Sequence, residues 1–116
     1  MENNEVKVIA DAMIEKKGQD VVSLDLRKIG TAISDYFIVC NADSTTNVLA
    51  IADNVEDRMI EHCRRKVIRS QGKENALWII LDYGDIVVHI FQTEYRAFYR
   101  LESLWADAAR QEYAAE

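Results

Sequence analysis

Residues 78–91 read WIILDYGDIVVHIF, two apolar runs separated by Asp, Tyr, Gly and Asp. Short apolar runs bounded by turn residues are strands, and the glycine between them marks a hairpin. A two-residue turn at Tyr83 and Gly84 sets Asp82 opposite Asp85. Leu81 then opposes Ile86, Ile80 opposes Val87, Ile79 opposes Val88, Trp78 opposes His89 and Leu77 opposes Ile90. Side chains alternate across a strand, so Leu77, Ile79, Leu81, Ile86, Val88 and Ile90 fall on one face. Every member is aliphatic, and this face is expected to lie against helices.

The other face carries Trp78, Ile80, Asp82, Asp85, Val87, His89 and Phe91. Facing carboxylates repel weakly in water and cost far more if buried without a cation. The rim near Asp82 and Asp85 is therefore expected to be wet. Trp and Tyr are frequent binding anchors, and basic side chains of a partner can pair with carboxylates. The candidate partner-binding residues are Trp78, Ile80, Asp82, Tyr83, Asp85, Val87 and His89, with Trp78 and Tyr83 as anchors. The competing reading is that the chain's own helices cover Trp78 and His89 and leave only the turn exposed. His89 alone is more often a satisfied histidine than a catalyst.

Upstream, Val6, Ile9, Ala10 and Met13 recur at helical spacing, with Asn3 or Asn4 as cap and Gly18 as terminator. Val22, Leu24 and Leu26 alternate with Ser23 and Asp25 as a half-buried strand. Residues 36–40, YFIVC, lack polar alternation and suit a central strand covered on both faces. Asn41 to Thr45 form a turn, and Ser44 or Thr45 caps a helix whose stripe is Val48, Ala52, Val55, Met59 and Cys63. Residues 67–70 form a short strand before a loop around Gly72. Thr93 caps a last helix with Phe98, Leu101, Trp105 and Ala108 on one side. The expected architecture is one α/β domain over residues 1–116, a single mixed sheet of about five strands with helices packed on it.

The chain has 116 residues, nearly half of them apolar, enough for one core. Its 14 basic and 20 acidic residues give a net charge of −6. Such a surface repels phosphate, so little or no direct nucleic-acid binding is expected, and a basic protein is the favoured partner. Arg64, Arg65, Lys66 and Arg69 are read as a solvated helix end in preference to an RNA contact. Cys40 and Cys63 lack zinc-ligand spacing and are expected as reduced thiols, with no metal. No signal peptide or membrane-spanning run is evident, which fits the cytoplasm. No phosphate-cradling glycine loop, nucleophile elbow or Asp-x-Asp pair occurs. No catalytic residue and no cofactor are expected, and capping is preferred to anion binding at Ser44.

These residues, in this order, resemble the ribosomal silencing factor family, also called Iojap-like. The resemblance rests on residues 34–39 (SDYFIV), 44–48 (STTNV) leading into 51–53 (IAD), the hairpin 78–91, and 98–108 (FYRLESLWADA). It spans nearly the whole chain. Residues 40–43 (CNAD) and Gln71 depart from the family pattern. The resemblance implies a nucleotidyltransferase-like fold without that activity. It also implies docking on the large ribosomal subunit through its protein number fourteen, a basic ribosomal protein. Bound there, family members sterically block the small subunit and lower translation when nutrients are scarce. Organellar relatives act in ribosome assembly, and homodimers are common. The rival readings are a nucleotidyltransferase-like phosphoryl-transfer enzyme, which would bind nucleotide with Mg²⁺, and a homodimeric interaction module.

Overall fold

The computed structural model describes residues 4–30, 32, 34–99, 103 and 105–114. In chain order the elements are α1 (Asn4–Glu15), β1 (Gln19–Asp25), β2 (Tyr36–Ala42), α2 (Thr45–Cys63), β3 (Arg69–Gln71), β4 (Trp78–Asp82), β5 (Ile86–Gln92), α3 (Thr93–Tyr99) and β6 (Ala109–Tyr113). The strands form one sheet in the order β3-β4-β5-β2-β1-β6. Among the described strands only β2 and β5 run parallel, in a register from Tyr36 with Ile86 to Ala42 with Gln92. All seven β2 residues are buried, as an unalternating apolar run requires.

One face of the sheet carries α1 and α2. Ile38, Cys40 and Ala42 of β2, Ile79 and Leu81 of β4, and Ile86, Val88 and Ile90 of β5 meet Val6, Ile9, Ala10 and Met13 of α1 and Val48, Ile51, Ala52, Val55 and Met59 of α2. The expected helical stripes and the expected aliphatic hairpin face are thus two sides of one core. Ser44 caps α2 by accepting a hydrogen bond from the Asn47 N–H at 3.1 Å. Arg64, with φ 53°, turns the chain out of the helix in the left-handed conformation, and its N–H donates to the Ile60 carbonyl.

Three expectations need correction. The hairpin register moves by two residues, with Ile79 opposite Ile90, Ile80 opposite His89 and Leu81 opposite Val88. The turn is Gly84 and Asp85, not Tyr83 and Gly84, because the Tyr83 N–H donates to the Ile86 carbonyl at 2.9 Å. Gly84 has φ 92°, and a glycine at the first central position matches the twist of a two-residue hairpin. The Asp82 carboxylate accepts from the Gly84 N–H at 2.7 Å. A two-residue shift preserves the faces, so the sorting of the hairpin survives.

Second, the sheet has six strands among the described residues, where about five were expected. Trp105 lies in a turn, where its carbonyl accepts from the Ala108 N–H at 3.0 Å. Ala109–Tyr113 then pairs antiparallel with β1. The side chain of Phe98, and Leu101, lie outside the described residues. The segment is polar and has no strand pattern of its own. It is held by the open ladder of β1 and by a 3.1 Å hydrogen bond between the hydroxyls of Ser23 and Tyr113.

Third, the face opposite α1 and α2 is not open across its width. Val22, Val39 and Phe91 form a cluster against which Trp78 and Tyr95 pack. Leu24, Leu26, Phe37 and Val87 form another, met by Ile29, Ala32, Ile80, Trp105 and Ala108. Three segments of the chain therefore cover β1, β2 and β5.

Gly72 sits before β4 with φ 90°, and a Cβ there would lie 2.0 Å from the Trp78 carbonyl oxygen. Gly72→Ala is expected to destabilise the fold by at least about 2 kcal/mol, combining the φ strain with the clash. Gly30→Ala, with none of the described residues within 4 Å of the added carbon, is expected to stay within about 0.5 kcal/mol of the original. Urea unfolding of the two variants checks the contrast.

Candidate functional site

The outer face of the hairpin is organised by a row of rings. Trp78 stacks on Phe91 with centroids 4.9 Å apart. His89 meets Phe37 edge-on at 4.7 Å, and Phe37 meets Trp105 edge-on at 5.9 Å. The Trp78 Nε1–H donates to His89 Nδ1 at 3.1 Å. This bond fixes the neutral tautomer with its proton on Nε2, a buried atom with no hydrogen-bond partner among the described residues. His89 is only 5% exposed, and burial pushes its pKa down to about 4.

The seven candidate residues separate accordingly. Trp78, Ile80 and Asp82 alternate with buried Ile79 and Leu81 and are themselves half-buried. They form an outer rim on β4. Val87 and His89 share that face on the neighbouring strand β5, beside Asp82 and Ile80, but are buried. Tyr83 is corrected outright. Its position places it with Ile79 and Leu81 on the helix side, 1% exposed, so it is not a surface anchor. Burial raises its hydroxyl pKa above the ordinary tyrosine range.

Asp85 is exposed in the turn but does not oppose Asp82. It accepts from Arg65 at 2.8 Å. The same guanidinium bonds Glu5 of α1 at 2.5 Å, donates to the Tyr83 carbonyl, and lies 5.5 Å from the centre of the Tyr83 ring. The expected cation for Asp85 is therefore supplied within the chain. The guanidinium ties the hairpin tip to the start of α1.

Asp82 instead has Arg69 of β3 as its cross-strand neighbour, and Gln71 lies opposite Ile80. Arg69 and Gln71 therefore extend the outer rim to the sheet edge, a feature the sequence reading missed. The short strand expected at residues 67–70 is present at Arg69–Gln71, but its pairing with β4 leaves no trace in so short a segment. Among the described residues, Ile68 and Ile60 are the exposed large hydrophobics, at 71% and 48%.

The other polar clusters are internally satisfied. At the carboxyl ends of β2 and β5, the Asn41 amide donates to Thr93 at 2.9 Å and its carbonyl accepts from Arg96 at 2.8 Å. The Thr93 hydroxyl donates to Asp43 at 2.7 Å. Cys40 and Cys63 are free thiols, and burial pushes the Cys40 pKa up to about 12. Among the described residues no three His, Cys, Asp or Glu side chains gather as a metal-ligand set, and no helix is long and apolar enough to cross a membrane.

Because His89 binds a proton less readily folded than unfolded, its contribution to stability is complete above the ordinary histidine pKa and shrinks as pH falls. The loss is expected to reach up to about 3 kcal/mol between about pH 6.5 and pH 4. Glu15, Asp25 and Asp43 are held low by hydrogen bonds from Asn54, Arg27 and Thr93 respectively. Their losses begin below about pH 4.5, leaving the upper window to the histidine. Urea unfolding from pH 7 to 4.5 should show this slope, and His89→Gln should flatten it.

The whole chain, residues 1–116, matches the family model described as ribosomal silencing factor during starvation. It is 37% identical over 103 residues to the ribosomal silencing factor of Bacillus subtilis, covering 89% of this chain and 86% of the relative. It is 36% identical over 100 residues to the chloroplastic protein Iojap of Zea mays, covering 86% of this chain and 42% of that longer protein. Its fold matches the crystal structure of a Chromobacterium violaceum protein with a TM-score of 0.84 and 32% identity, covering 100% of this chain and 95% of the other. This chain belongs to the ribosomal silencing factor family.

Proposed function

We propose that the chain lowers translation by docking on the large ribosomal subunit and occupying space that the small subunit needs. It acts in the cytoplasm when nutrients are limited, and it does so without catalysis, because obstruction requires only occupied volume. The reading is carried by the open rim of β4 in a chain of this family. There, half-buried Trp78 and Ile80 stand beside Asp82. The partner is the basic protein number fourteen of the large subunit. Apolar contact on the indole and on Ile80 would supply affinity, and a basic side chain meeting Asp82 would supply orientation. Val87 and His89 flank the rim on β5, with His89 bonded to the Trp78 indole, and Arg65 holds the hairpin tip at Asp85 in place.

A homodimer is a second reading, favoured by the position of β6 at the sheet edge with its first four residues exposed. Antiparallel pairing of two copies centred on Gln111 would bring Arg110 of each opposite Glu112 of the other, a self-complementary pattern. Arg110→Glu should then convert the dimer to monomer in light scattering, and an unchanged mass would remove this surface.

Sucrose-gradient profiles test the main reading. Added protein should shift joined ribosomes toward free subunits and sediment with the large one. Ile80→Lys and Asp82→Lys should lose both effects by tenfold or more, about 1.4 kcal/mol. Both variants should keep a folded circular-dichroism spectrum. Trp78→Ala is a poorer probe, since it also removes the stacking on Phe91 and the bond to His89. Undiminished binding by both rim variants would refute the docking site.

A further inference from the structure

Residues 64–69 read RRKVIR, four cations in six positions of a chain whose net charge is −6. The fold uses these cations unequally. Arg65 is engaged by Glu5, Asp85 and the Tyr83 carbonyl. Arg64, Lys66 and Arg69 are exposed, and their side chains have no hydrogen bond or ion pair among the described residues. Other described arginines are occupied: Arg27 by Asp25, Arg58 by Glu15 and Glu61, Arg96 by Asn41 and backbone carbonyls.

The place of this strip is specific. The Ile68 N–H donates to the Asp82 carbonyl at 2.9 Å, which ties the segment alongside β4. Arg69 stands opposite Asp82 on the outer face. Ile68, 71% exposed, lies between Lys66 and Arg69 in the chain. A rim with a carboxylate therefore continues directly into Arg69 on the sheet edge, and Lys66 and Arg64 precede it in the chain.

We propose that Arg64, Lys66 and Arg69 contact the phosphate backbone of ribosomal RNA next to the docked protein. The inference rests on the ribosome-docking reading above. A ribosomal surface sets basic protein beside RNA phosphate, and this edge presents the complementary pair, carboxylate beside cation. An acidic protein would satisfy the cations but would be repelled by Asp82. Arginine forks suit phosphate oxygens, and each engaged cation releases counterions from RNA. The net negative charge keeps the free chain off RNA. Once the rim has docked, the strip is held close to phosphate and its contact becomes effectively intramolecular.

The test measures binding to purified large subunits as a function of monovalent salt. The comparison variant combines Arg64→Asn, Lys66→Gln and Arg69→Gln, with Asn chosen because it tolerates the left-handed backbone at that position. Loss of three phosphate contacts should reduce the slope of log affinity against log salt by about two, at roughly 0.7 per contact. The original chain should then lose roughly fifteenfold more affinity than the variant between about 50 and 200 mM salt. A benzophenone amino acid replacing Ile68 should crosslink to ribosomal RNA. Equal slopes and affinities would overturn the proposal, as would a weakened variant whose crosslinks reach protein alone. If the original chain fails to bind large subunits at any salt, the docking reading itself fails. That outcome is distinct from binding that persists without the strip.

Discussion

The parallel pairing of β2 with β5 is the constraint on which the rest depends. Parallel neighbours cannot be joined by a tight turn and need a crossover. Here the crossover carries α2, β3 and β4, so the path that closes the central pair also supplies one helix of the core and the edge that bears the outer rim. β5 lies between β2 and β4 in the middle of the sheet, and its first six residues are buried. An apolar hairpin strand in that position must find cover on both faces. Helices α1 and α2 supply it on one side, and the aromatic row with the turn at Trp105 supplies it on the other.

That two-sided cover decides which residues remain available to a partner. His89 has a hydrogen bond on one nitrogen and apolar neighbours around the other, an arrangement that holds it neutral and structural. Its role is to fix the indole of Trp78 from behind. Trp78 is thus half engaged in the fold and half exposed, an apolar ring held in place by Phe91 and His89. Arg65 acts similarly at the other end of the strand. By joining Glu5, Asp85 and the Tyr83 carbonyl, it removes one carboxylate from the rim and leaves Asp82 as the acidic group there.

Much of the fold was legible because the apolar patterns were strong. The unalternating run of residues 36–40 became the central strand, and the stripe from Val48 to Met59 became the buried side of α2. The hairpin faces were sorted correctly even though the register was off by two, since parity and not exact pairing assigns a strand residue to a face. The site was legible only in part. Alternation placed Trp78, Ile80 and Asp82 together but said nothing about depth, so it gave no warning that Val87 and His89, on the same face, are buried. Tyr83 was lost as an anchor because a turn position was assumed where the ladder still continues.

By itself, the sequence determined which residues are strands or helices wherever burial imposes a period, which hairpin face is aliphatic, and which family the chain resembles. Those properties are local, or are fixed by the order of residues along the chain. Only the tertiary structure decided that a polar segment, residues 109–113, completes the sheet, that Arg65 and not a partner neutralises Asp85, and that Arg69 joins the rim from a separate strand. Each depends on a ladder, a charge or a neighbour supplied from elsewhere in the chain. An open strand edge or a carboxylate brought near by folding leaves no periodic trace in the sequence that answers it.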